Sequence, residues 1–311
     1  MASIGMTVRH GLGVAELSAM SRGALDRPLL HDAELLVVVP SEEGILFGAH
    51  QRVTEVAAAL RTLPLHRRGS GGGETRVGPG TIWLQLALSN SSALVPCPPD
   101  RLINRHVRPL LRAITKAGVL VHYFERDWVS GEKRPVAQIS FAHDASTGRA
   151  LVEALIAVTT PFAMRPRSSL MGKAQATLRE LGMRSDAAAL SEMIVASYAA
   201  AYGAPAPLPL PAHDLACAPA LTIAPWPATR AEAIGLVGAG WSDGRLSIGG
   251  ELMVSRDALA RLEASITANA SPDAVGARVD ETLGAPGVAL FGVRSLRSIR
   301  DVIVDALAAG Q

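Results

Sequence analysis

Between Ala204 and Pro227, seven of twenty-four residues are proline. Proline fixes φ and removes a backbone donor, so neither a helix nor a central strand crosses such a stretch. It predicts a connector between two globular parts: residues 1–203, a linker at 204–230, and a smaller unit at 231–311. A chain of 311 residues is long enough for both. The uncharged run 193–212 has membrane length, but Pro205, Pro207, Pro209 and Pro211 break its second half. It reads as a helix end followed by the connector, and no membrane partner is expected.

Before the connector, helical and strand-like periods alternate. Helices are predicted over 11–24, 52–63, from a cap at Asp100 to a stop at Gly118, and over 185–203. Strands are predicted at 34–40, 44–49, 81–88, 119–126, 135–142 and 149–158, the last two joined by a turn at 143–148. Beyond the connector, 234–241 and 245–254 flank Asp243-Gly244 as a hairpin. One helix carries Leu259, Leu262 and Ile266, and another Ile299, Val302, Ile303 and Leu307. The expected class is α+β, a mixed β-sheet domain followed by a small α+β unit.

Apolar residues at 49% and charged ones at 19% exclude a disordered chain. A net charge of +2 lacks the basic field of a nucleic-acid binder. Cys97 and Cys217 form no CxxC pair, and His50, His66, His122 and His143 have no metal-ligand spacing, so no metal site is assigned. Arg9, Glu16 and Arg22 interrupt the N-terminal apolar residues, which argues against a signal peptide. A reducing cytoplasm is the expected compartment.

Residues 66–80, HRRGSGGGETRVGPG, carry the densest chemical signal. Glycine allows positive φ and lets a ligand approach main-chain N–H groups, so the turn can cradle a phosphate or carboxylate. Arg67 and Arg68 can fork onto the same oxygens. A flexible surface loop with two solvated arginines is the plain alternative. The spacing is neither that of a Walker A loop nor that of a dinucleotide-binding fingerprint.

This block resembles the RRxSGGG-x-V-x-H-x-x-G block of the lipoate-protein ligases, which follows a strand ending in glycine and a helix. Here 44–51 stands for that strand and 52–63 for the helix, while Arg67, Arg68, Ser70, Gly71, Gly72 and Gly73 match residue by residue. Thr75 replaces the valine and Val77 the histidine. Gly80 is the final glycine, and Gly78-Pro79-Gly80 resembles the HGPG of the related octanoyltransferases. The resemblance implies that these residues, Gly78 and Gly80 included, line an acyl-adenylate site of the biotin/lipoate protein ligase type.

The family's second block places a lysine after an Asn-Asp pair. Asp127 matches the aspartate and Arg126 stands for the asparagine. Lys133 or Arg134 takes the lysine's role, with Lys133 assigned as the catalytic cation that would stabilise charge on the departing phosphate. Lys173 resembles a lysine of the segment that follows. The family's HHGT-like stretch falls at 150–157, where Glu153 is the polar residue. Cys97 lies in a proline-flanked loop, away from the position where cysteine-using relatives keep their nucleophile.

Residues 244–246, 249–251 and 289–293 resemble the accessory domain of these ligases. The family implies condensation of lipoate with ATP, with Mg²⁺ on the phosphates, to lipoyl-adenylate. Transfer then follows to a lysine of an acceptor, either the lipoyl domain of a 2-oxoacid dehydrogenase acyltransferase subunit or the glycine-cleavage H protein. Two alternatives stand beside it: an octanoyl or lipoyl transferase fed by an acyl carrier, and a non-catalytic relative that binds a lipoyl ligand or a partner. Biotin ligation ranks lower, because that family's glycine block runs GRGRRGR.

Overall fold

In the computed structural model, which describes residues 2–55, 61–161, 171–211 and 224–310, the chain builds one large mixed sheet with helices on both faces. The first strand, β1 (Ile4–Leu12), runs parallel to β2 (Ala33–Pro40), with α1 (Val14–Gly23) between them. Next come β3 (Gly44–Phe47), β4 (Leu65–Arg67), β5 (Thr75–Val77) and β6 (Thr81–Leu88). Strand β6 pairs antiparallel with β2, and β3, β4 and β5 form a separate three-stranded sheet. After α2 (Leu102–His106) and α3 (Arg108–Lys116), the strands β7 (Val121–Tyr123), β8 (Trp128–Gly131), β9 (Arg134–His143) and β10 (Ala150–Ala157) complete the large sheet. Helix α4 (Ala187–Tyr202) and β11 (Ala206–Pro207) follow, and the spatial order is β11-β1-β2-β6-β10-β9-β8-β7.

Burial on both faces explains why β2 reads as an unbroken apolar run. Leu35 and Val37 point into a cluster with Leu110, Ile114, Leu190 and Ile194 of α3 and α4. Leu36 and Val38 point the other way, with Trp83, onto Val14, Leu17 and Met20 of α1.

The C-terminal part is a meander of β12 (Ala228–Glu232), β13 (Gly235–Ser242) and β14 (Arg245–Gly250), covered by α5 (Arg256–Ser265), α6 (Pro272–Leu283) and α7 (Leu296–Ala309). Between these elements, β15 (Met253–Val254) pairs with β16 (Leu290–Phe291). Val237, Ile248, Leu262, Val279 and Val302 form its own apolar cluster, yet Ile234, Met253 and Ala289 belong to the cluster of the large sheet.

The α+β class and the mixed sheet are as expected, and several boundaries are not. The expected helix 11–24 starts at Val14, because β1 runs through Leu12, and α6 lies where no element was expected. The expected strand 119–126 shortens to β7, because Glu125 adopts φ 54 and turns the chain. The expected strand 245–254 breaks where Gly250 takes φ 106. Of the expected helix 52–63, a single 3-10 turn is seen at Val53–Glu55, and residues 56–60 lie outside the described residues. Part of the proline-rich connector is strand: β11 pairs parallel with β1 at the sheet edge, where proline's missing donor costs no ladder bond. Residues 212–223 of the connector also lie outside the described residues.

Candidate active site

The glycine turn between β4 and β5 is packed into the molecule from every side. Its main-chain donors are taken in succession. Arg68 N–H donates to the Phe47 carbonyl at 3.1 Å, Gly69 N–H to Ser21 Oγ at 2.7 Å, and Ser70 N–H to Glu153 Oε2 at 3.3 Å. Gly71 N–H donates to the Phe141 carbonyl at 3.1 Å and Gly72 N–H to the Leu252 carbonyl at 3.3 Å. A side chain at Gly71 would overlap that same Leu252 carbonyl, and Gly72 holds φ +82, so glycine is required at both positions.

Both arginines brace the chain. Arg67 Nη1 donates to the carbonyls of Gly48, Ala49 and Gln51 at 3.1, 2.8 and 2.7 Å, and its guanidinium lies 4.5 Å from the Phe47 ring centre. Arg68 is fully buried; Nε meets Ser70 Oγ at 3.0 Å, and Nη2 meets the carbonyls of Gly71 and Gly73 at 2.6 and 2.9 Å. Ser70 Oγ lies 2.7 Å from Ser140 Oγ and also donates to Glu153. Trp83 Nε1 donates to the other Glu153 oxygen at 2.8 Å. Burial pushes the Glu153 carboxyl above its ordinary range, while Arg68, Ser70, Ser21 and Trp83 pull it back.

The remaining expected site residues are spread out. Gly78 and Gly80 form the tight entry to β6: Gly78 N–H meets Thr81 Oγ1 at 3.1 Å, and the Gly80 carbonyl accepts from Val158 and Thr159 beyond β10. Asp127 is fully buried, and its carbonyl accepts Ile139 N–H at 2.8 Å. Burial, then the Asp127 carboxylate, drive the Tyr123 phenol well above its usual range.

The sequence reading expects Lys133 or Arg134 as a cation on the next hairpin beside the turn, and the structure places both at the far end of β9 from it. Lys133 sits exposed at the β8–β9 tip with φ 64. Arg134 is held by the Gln175 carbonyl at 2.6 Å and Glu180 at 3.1 Å, and Lys173 lies two residues before Gln175. Strand β9 meets the turn through Gln138, whose Nε2 reaches the Gly73 carbonyl at 3.1 Å, and through Ser140. Those positions are ~13 and ~20 Å along the strand from Arg134 at ~3.3 Å per residue. Arg68 supplies a positive charge from within the turn itself. Of the residues that complete the site, Glu153 stood out in the sequence as the polar residue of an apolar strand. Trp83, Gln138, Ser140 and Leu252 carry no such signal.

Two cavities lie in the same part of the molecule. One of about 270 Å³ is lined by Ile103, Tyr123, Phe141, Leu290 and Phe291, with Arg101, Asn104 and Glu125 at its rim. Its Phe141 is the β9 residue whose carbonyl accepts from Gly71 N–H, and its apolar, aromatic wall suits a short acyl chain better than a nucleotide. The other, about 380 Å³, is lined by His50, Arg52, Arg67, Trp226, Arg256 and Glu263. Among the described residues no cluster of three His, Cys, Asp or Glu side chains could hold a metal ion, and no helix is long and apolar enough to cross a membrane.

The large mixed sheet with its flanking helices has the fold of the lipoate-protein ligases. In particular, the chain resembles LipL1 of P. falciparum, solved in complex with lipoate, at 10% identity and a TM-score of 0.64, covering 96% of this chain and 98% of that one. The bipartite lipoate-protein ligase of Thermoplasma acidophilum, described with its E2 lipoyl domain, gives 11% identity, a TM-score of 0.54 and coverage of 68% and 89%. Lipoate-protein ligase A bound with ATP gives 12%, 0.50, and coverage of 67% and 90%. No protein-family model matches the sequence, and no curated protein does.

Proposed function

We propose that this chain binds a lipoyl-type acyl group in the slot between α2, β7, β9 and β16 and acts on a lysine-bearing acceptor domain. The observation that carries the reading is the placement of that slot. One of its lining residues, Phe141, accepts from Gly71 of the glycine turn, in a fold similar over 96% of the chain to that of a lipoate-bound protein. In the finer reading the chain is a lipoate-protein ligase, condensing lipoate with ATP and passing the lipoyl group to the acceptor lysine. The residues do not fit ATP phosphates at the turn as it is packed, since the N–H groups of residues 68–72 already bond to protein oxygens. Mg²⁺ in this reading arrives on the phosphates.

That occupancy favours a second reading, in which the lipoyl ligand or its acceptor domain is bound without turnover. One experiment separates the two. The purified protein is incubated with lipoate, ATP, Mg²⁺ and a lipoyl domain, the mass of the domain is measured, and lipoate binding is followed by calorimetry in parallel. A lipoyl mass increment on the acceptor lysine supports the ligase. Lipoate binding with unchanged mass supports the second reading, and neither mass change nor binding overturns both.

A further inference from the structure

Glu153 lies in the middle of β10 with no exposed surface, where an unbalanced carboxylate would cost several kcal/mol. It is balanced by the glycine turn. Ser70 contributes its N–H and its hydroxyl to one carboxylate oxygen, and Trp83 Nε1 contributes to the other. Arg68 stands behind Ser70, joined to it at 3.0 Å, and supplies the positive charge. A backbone N–H, a hydroxyl and an indole N–H on the two oxygens of a carboxylate, with a guanidinium one residue behind them, are the donors with which a protein receives an anion. Here they converge on the chain's own side chain. The Leu252 carbonyl on Gly72 N–H and the Met253 side chain beside Gly72 close the outer side.

We propose that the glycine turn is an anion nest whose resident is the Glu153 carboxylate, and that Glu153 thereby decides which anions the nest accepts. While Glu153 is in place, a second anion meets both its charge and the loss of its donors. With Glu153 removed, the nest takes a small free carboxylate. The inference goes beyond the acyl-binding reading and holds whether or not a lipoyl group is transferred, because its test uses neither lipoate nor acceptor.

The variant Glu153→Ala deletes the side-chain atoms that acetate contains. Its Tm is expected to fall by about 6–15 °C, the consequence of leaving one partner of a buried pair. Sodium acetate then restores part of that loss in a saturable manner, beyond sodium chloride at equal ionic strength and beyond its effect on the native chain, while neutral acetamide does not. Equal responses of variant and native chain, or equal rescue by acetamide, overturn the proposal. Should Glu153→Ala fail to fold, Glu153→Leu is compared with Glu153→Leu/Arg68→Met. Removing both charges is expected to recover a folded protein with a cooperative transition. A double variant no better folded than Glu153→Leu alone overturns the charge pairing.

Discussion

Gly48 shows how little room the turn leaves. A Cβ built there would overlap the Gly72 carbonyl oxygen, a clash of backbone with backbone that no rotamer change relieves. Gly48→Ala is therefore expected to cost about 3 kcal/mol or more, at the upper end of overpacking. Chemical denaturation checks it, and an unchanged midpoint would show that the turn yields at no cost. Residue by residue, the sequence marked Arg67–Gly73 as a block and Glu153 as the polar residue of residues 150–157. It could not pair them, because Glu153 is 83 positions from Ser70, and Leu252 lies farther still along the chain. Nor could it tell that Arg67 and Arg68 turn onto main-chain carbonyls. An arginine fork fits a carbonyl cluster as readily as a phosphate, and only packing decides between them.

At the scale of elements, legibility followed the width of the apolar stripe. Strands β6, β9 and β10 and helix α4 were readable because each buries a long, regular set of side chains. Helix α6 buries Val275, Gly276, Val279 and Leu283, a narrow stripe interrupted by glycine, although Ser271 caps it and Pro272 opens it. Helix α2 is short, and its placement rests on tertiary contacts. The His106 carbonyl accepts from Tyr198 Oη at 2.7 Å, and the His106 ring is buried against Tyr202. Burial holds its imidazole down to about 4, below the 6.5 of an exposed histidine. The folded state therefore keeps His106 neutral while the unfolded chain takes up a proton. This contribution is complete above about pH 6.5 and is lost as pH falls towards about 4, on the order of 1–3 kcal/mol across that window. Replacing His106 by Phe should flatten this part of the acid limb in a pH series of thermal melts; an unaltered slope would assign the acid sensitivity to other groups.

Across the whole molecule, the proline-rich connector at 204–230 suggests two units. Several contacts argue that the parts depend on each other. Arg256 at the start of α5 bonds Asp144 at 2.9 Å and Asp26 at 2.7 Å, and His143 Nδ1 lies 2.8 Å from Ser255 Oγ. Met253 and Ala289 fill the core of the large sheet, and the Leu252 carbonyl accepts from the glycine turn. The Arg256 pairs are partly exposed and contribute modestly. The apolar plugs matter more, since fully burying a side chain the size of Met253 or Ile234 contributes about 1.5–3 kcal/mol. A chain ending at residue 211 keeps all strands of the large sheet but loses Ile234, Met253, Leu290 and Phe291, and with them one wall of the acyl slot. It is expected to show no sharp thermal transition and no lipoate binding by calorimetry, whereas the full chain unfolds in one cooperative step. A truncated chain melting sharply near the full-length Tm would mean that the connector separates independent units and that the C-terminal plugs add nothing to the core they fill.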